Sequence, residues 1–169
     1  MSVEPIRSIK KIRKMISHME LKYSKRDALL FRMGINTILR VGDILSLRYC
    51  DVFDENGDFR QYLILNEQKT KKEKKVSLNT KLSFRTPEVP LDRIQAWRIL
   101  KKAASECGIQ NFGTHSMRKT LAYQIYKETK NLALVMHMLN HQSSKQTMRY
   151  IGINQDEMDN VYKNPKFQF

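Results

Sequence analysis

Between Arg26 and Ile38 the apolar residues Ala28, Leu29, Leu30, Phe31, Met33 and Ile35 go nearly all round a helix. A helix without a wide polar face belongs at the centre of a core, so the remaining elements must pack about it. Helical spacing recurs on both sides. Ile9, Ile12, Ile16 and Met19 share one face, with Lys10, Lys11, Arg13 and Lys14 on the others, and Arg40 to Leu47 reads as a short helix. Ile94, Trp97, Leu100 and Ala104 share a face before a stop at Gly108. A helix from His115 to Thr129 turns Met117, Leu121 and Ile125 inward, and Leu132, Val135, Met136 and Leu139 mark another. Gln146 to Ile151 and Asp156 to Tyr162 are the last helical stretches. Only Tyr62–Leu65 and Lys75–Leu78 read as strands, with the lysine-rich run Gln68 to Lys74 as the exposed turn between them. Asn79 to Pro90, with two prolines and no periodicity, reads as a loop. The predicted fold class is α+β, mainly α: a helical domain with one small antiparallel β-hairpin.

The length of 169 residues suits a single domain. Lysine and arginine number 31 against 17 acidic residues, a formal charge of +14, which favours a polyanionic partner. An anionic membrane surface would also attract such a chain. However, no apolar run approaches the roughly 18 residues that span a bilayer. Residues 1–5 lack the apolar core of a secretory signal, and Cys50 and Cys107 have no CxxC or disulfide-framework spacing. Two buried thiols in a reducing cytoplasm are expected.

Individually, the polar candidates are ordinary. Arg40 follows an apolar helix, while His115 and Arg118 lie three apart near a helix start, where free N–H groups favour an anion. His137 and His141 are four apart, but the HExxH glutamate is missing and no third ligand stands nearby, so no metal is expected. Their order says more. The chain presents an arginine after a buried helix, a lysine on a hairpin, His-x-x-Arg opening a helix, then a histidine nine residues before a tyrosine.

This set resembles the catalytic domain of the tyrosine recombinases, the phage integrase family. Gly34 to Leu47 resembles the first family box, with Arg40 as its arginine and Asp43 in place of the usual glutamate. Gln68-Lys69-Thr70 matches the hairpin Lys-Thr and points to Lys69 rather than Lys71, Lys72, Lys74 or Lys75. Thr114-His115-Ser116-Met117-Arg118 matches the second box, although Lys119 replaces the common histidine that follows it. Leu139-Asn140-His141-Gln142-Ser143-Ser144 resembles Leu-Gly-His-Ser-Ser, with Asn140 in place of glycine, and Met148-Arg149-Tyr150 holds the tyrosine.

The resemblance implies a site-specific recombinase that cuts and rejoins DNA through a 3′-phosphotyrosyl intermediate. In that reading Arg40, Arg118 and His141 bind the phosphate, Tyr150 attacks, His115 is the general base and Lys69 protonates the leaving oxygen. Neither metal nor other cofactor is implied. The expected partners are double-stranded DNA and further copies of the chain, joined through the C-terminal tail; no membrane is involved. The expected location is cytoplasmic and nucleoid-associated, with a bacterial or mobile-element origin. Charge alone marks Arg7, Lys10, Lys11, Lys71, Lys72 and Lys74 as candidates for DNA-backbone contact. Residues 1–169 are expected to form a single catalytic domain with 163–169 as a tail and without an N-terminal core-binding domain. A catalytically idle DNA-binding module derived from an integrase is the alternative, and a type IB topoisomerase-like enzyme is a related one.

Overall fold

The computed structural model describes residues 3–58, 60–69, 71–78, 91–153 and 163. Among these residues the chain order is α1 (Ile9–Lys22), α2 (Lys25–Asn36), α3 (Val41–Leu45), α4 (Tyr49–Val52), β1 (Tyr62–Asn66), β2 (Glu73–Ser77), α5 (Arg93–Glu106), α6 (Thr114–Thr129), α7 (Leu132–Leu139) and α8 (Ser144–Ile151). The fold is mainly helical with one two-stranded antiparallel sheet. The loop Asn79–Pro90, the helix at Asp156–Tyr162 and the tail, apart from Lys163, fall outside the described residues.

Helix starts follow from local chemistry. Ser8, Ser24, Asp92, Asn131 and Ser143 each accept a first-turn backbone N–H at the head of α1, α2, α5, α7 and α8, satisfying donors that have no partner within the helix. The hairpin register pairs Leu63 with Val76 and Leu65 with Lys74. Since side chains alternate along a strand, Leu63, Leu65 and Glu67 turn to one side, joined by Lys74, Val76 and Leu78.

Two cores result. The larger gathers Met15, Met19, Phe31, Leu63, Leu100 and Met117 from α1, α2, β1, α5 and α6. The smaller gathers Ile38, Ala122, Val135, Leu139 and Ile151, chiefly from α6, α7 and α8. As its composition requires, α2 is central and packs against α1, α3, α5 and α6.

Three expectations are corrected. Ile9 is 51% exposed, and Met15 and Met19 fill the inner face of α1, with Ile12 and Ile16 flanking them. On α5, Ile94 and Trp97 face outward, whereas Ala96, Leu100, Ala103 and Ala104 are buried. Alanines let α5 approach α1, α2 and α6 closely, so the bulkier residues are the ones left outside. Cys107 is buried as expected, but Cys50 is exposed on the short α4.

Candidate active site

The site forms where the two cores meet. After α2 ends, Ile38 takes a left-handed backbone (φ 54°), a costly conformation for a β-branched residue, and its side chain is buried in the smaller core. That turn delivers Arg40 to the head of α3, where its backbone is extended and its side chain makes no cap. Arg40 Nη1 instead lies 2.9 Å from a Glu67 carboxylate oxygen and 4.0 Å from Asp43 Oδ2. Asp43, also buried, accepts the Gln68 backbone N–H at 2.9 Å and so ties the end of β1 to α3.

Arg118 comes from the second turn of α6 and is 96% buried, its relative exposure being 4%. One Nη donates to the Leu139 carbonyl at 3.0 Å, while its buried Nε has no hydrogen-bond partner among the described residues. Burial, followed by Arg40, holds its pKa below the usual arginine range despite Tyr150, Glu67 and Asp43 pulling the other way. A buried guanidinium with an unused N–H is a waiting donor for an anion.

His115 stands exposed at the head of α6. Desolvation of its inner edge, then the cations Arg118, Arg93, Lys119 and Arg40, keep it below the ordinary histidine value. His141 follows Asn140, which closes α7 in the left-handed region (φ 55°). Asparagine tolerates that conformation, so the replacement of glycine leaves the turn intact. His141 Nδ1 sits 3.1 Å from Thr147 Oγ1, and its ring meets the Tyr150 ring edge-on at 5.1 Å. Desolvation and then Arg118 and Arg40 lower its pKa as well. Tyr150, half-buried on α8, is raised by burial and pulled back by Arg118 and Arg40. The Lys119 ammonium stands 5.4 Å from the Tyr150 ring centre and donates to the Val3 carbonyl at 2.6 Å. A cleft of about 510 Å³ opens beside Tyr150, lined by Lys119, Ser143, Lys145, Gln146 and Arg149.

Arg40, His115, Arg118, His141 and Tyr150 are therefore neighbours, drawn from α3, α6, α8 and the α7–α8 turn. Arg40 and Arg118 stand near Tyr150 and near both imidazoles, which are held below the ordinary histidine value, an arrangement suited to a phosphate ester under attack. Among the described residues, no three His, Cys, Asp or Glu side chains gather as a metal site.

The pattern that defines the phage integrase family matches residues 81–157. A relative from Bacillus subtilis (strain 168), named "Probable integrase/recombinase YoeC", is 41% identical over 180 residues, covering 95% of this chain and 96% of its own. The chain belongs to the phage integrase family. Its fold also matches that of the XerH site-specific recombinase bound to palindromic difH substrate in a post-cleavage complex, with TM-score 0.71 and 16% identity. That match covers 92% of this chain and 51% of the other. A lambda integrase tetramer bound to a Holliday junction matches with TM-score 0.65 and 17% identity, over 89% of this chain and 48% of the other. This integrase-family chain thus spans about half the length of those two solved chains.

The hairpin divides its lysines unexpectedly. Lys69 is exposed on the turn after β1, and no described contact ties it to the arginines. Lys74 instead reaches inward: its Nζ lies 2.8 Å from the Met138 carbonyl and 3.5 Å from Glu67 Oε1. Desolvation and Arg118 lower its pKa against the opposing pull of Glu67. Of the other backbone candidates, Arg7 donates to the Gly152 carbonyl and Lys11 to the Gly108 carbonyl, while Lys10, Lys71 and Lys72 are exposed. Sequence reasoning missed Glu67, which is fully buried and meets Arg40, Lys74 and Asn140. Strand parity carried the signal: Glu67 falls in phase with Leu63 and Leu65, and Lys74 in phase with Val76 and Leu78.

Proposed function

We propose that this chain cuts and rejoins DNA by tyrosine-mediated transesterification. The carrying observation is the buried, incompletely partnered Arg118 facing Arg40 beside Tyr150. Two guanidiniums grip the non-bridging oxygens of one phosphate and stabilise the charge that builds there. The Tyr150 oxygen attacks phosphorus, the bond from phosphorus to the 5′ oxygen breaks, and a 3′-phosphotyrosyl link forms. His115, neutral at physiological pH, takes the phenolic proton.

His141 donates a hydrogen bond to the phosphate. The Thr147 hydroxyl, 3.1 Å from Nδ1, also donates to the Ser143 carbonyl at 3.1 Å; when it turns to the ring instead, the neutral ring carries its proton on Nε2, the tautomer able to do so. The departing 5′ oxygen takes a proton from a hairpin lysine. Lys69 carries that role in the family pattern, and Lys74 is the hairpin lysine that stands against the cluster. The phosphotyrosyl link retains the ester bond, so a second 5′-hydroxyl reverses the steps without ATP, metal or other cofactor.

The chain acts as one catalytic domain on double-stranded DNA, at the nucleoid, with further copies joined through residues 163–169. Exposed Lys10, Lys71 and Lys72 take backbone phosphates, and affinity falls with salt at a logarithmic slope of about −0.9 per phosphate engaged. The test is incubation with a pool of nicked duplexes of randomised sequence in EDTA, followed by a denaturing gel. An SDS-resistant protein–DNA band that Tyr150→Phe abolishes is expected. Salt-sensitive binding with no band would instead support an idle DNA-binding module. On trapped sites, a sulfur at the leaving 5′ position departs without a proton. It should restore whichever of Lys69→Met and Lys74→Met removes the proton donor, leaving the other variant unchanged relative to oxygen.

A further inference from the structure

We propose that Glu67 is a positioning residue whose buried carboxylate holds Arg40 and Lys74 toward the same phosphate. The inference rests on the transesterification reading for its consequence, but the arrangement itself is independent of it. Full burial of a glutamate is costly unless cations and donors surround it. Here three elements meet its two oxygens. Arg40 from the head of α3 lies at 2.9 Å, Lys74 of β2 at 3.5 Å, and the Asn140 amide of the α7–α8 turn donates at 3.3 Å.

The backbone of Glu67 also closes the hairpin: its N–H donates to the Lys72 carbonyl, and its carbonyl accepts the Lys71 N–H. One residue therefore couples the hairpin to the first arginine and to the turn that carries His141. Without the carboxylate, Arg40, Arg118 and Lys74 would stand together with Asp43 as the remaining buried anion, 4.0 Å from Arg40, and would repel one another more strongly. With it, the net positive charge is reduced, while each cation keeps donors free for a ligand.

Lys74 faces Glu67 from just after β1, Arg40 from the head of α3 and Arg118 from α6. Glu67 opposes the effect of burial and the two arginines, so its neutralisation must move the Lys74 titration to lower pH.

The experiment compares wild type with Glu67→Gln. The Lys74 side chain is followed by NMR in the DNA-free protein and assigned by its loss in Lys74→Arg. Covalent trapping is measured alongside, with Tyr150→Phe as the control for tyrosine-dependent cleavage. The expected result is a lower Lys74 midpoint and a loss of at least about tenfold in trapping rate, with DNA affinity retained. Folded Glu67→Gln with an unchanged Lys74 midpoint overturns the inference, whatever cleavage does. Absence of any adduct in wild type defeats the transesterification reading while the titration still decides the role of Glu67. If Glu67→Gln does not fold, Lys74→Met leaves Glu67 its Arg40 and Asn140 partners; wild-type trapping by that variant overturns the proposal, and a loss of at least about tenfold supports it.

Discussion

The larger core packs α1, α2, α5 and the hairpin around residues such as Met15, Phe31 and Leu100, whereas the smaller rests on Ile38, Ala122, Val135, Leu139 and Ile151. The chemistry divides along the same line. Arg40 and Lys74, the cations that meet the buried Glu67, hang from the larger half, while His141 and Tyr150 ride on the smaller. Helix α6 bridges the two: Met117 lies in the larger core, Ala122 in the smaller, and Arg118 between them. Arg118 is thus held between the cores, whereas His141 and Tyr150 are carried by two eight-residue helices with two buried residues each. Segments with little apolar burial open most easily, so α7 and α8 should open before α1 and α2.

The contrast can be broken hardest at Ile151, which is fully buried one residue after Tyr150. Ile151→Ala should cost about 2–5 kcal/mol locally and speed amide hydrogen exchange in α7 and α8 far more than in α1 and α2. Uniform acceleration throughout the chain would mean the halves are not separable. Next, Arg118→Ala should lower the rate of adduct formation by about 10²–10³-fold, provided the protein stays folded by circular dichroism. A smaller loss than from Lys145→Ala would place the phosphate in the cleft beside α8 instead.

Gly34 probes the larger-core end of α6. A Cβ there would run into the Met117 side chain, where α2 crosses α6. Gly34→Ala should cost about 1–3 kcal/mol in urea melts and slow cleavage by displacing α6 from its larger-core side.

The mildest prediction concerns acid. With His115 held below its ordinary value, cleavage should keep its neutral base until the pH falls below 6.5. Arg93 on α5 contributes to that depression, so Arg93→Gln raises the His115 pKa and moves the acid limb of the cleavage profile upward. An unmoved limb would take His115 out of the base role.

Much of this was legible beforehand. The apolar circumference of α2 announced its central position, and the order of Arg40, His-x-x-Arg, His141 and Tyr150 marked side chains that the fold brings together. Sequence spacing failed where size and parity compete. On α5 the large residues Ile94 and Trp97 look like a core stripe, yet close packing selected alanines. On the hairpin, charge made Gln68 to Lys74 look like a solvated turn. β2 in fact begins at Glu73, and alternation turns Lys74 inward. Glu67 falls in phase with Leu63 and Leu65, so alternation could have marked its inward side, but its partners lie 27 residues earlier and 73 residues later in the chain, and no local pattern names them.

In the proposed reaction Tyr150, and no other side chain, attacks the phosphate bound between Arg40 and Arg118. Trapped protein–DNA adduct, digested by nuclease and protease and sequenced by tandem mass spectrometry, tests it most directly. The expected product is a 3′-nucleotide on the peptide containing Tyr150. A nucleotide carried by any other residue, or no nucleotidyl peptide from a preparation that binds its trapped site, would contradict it.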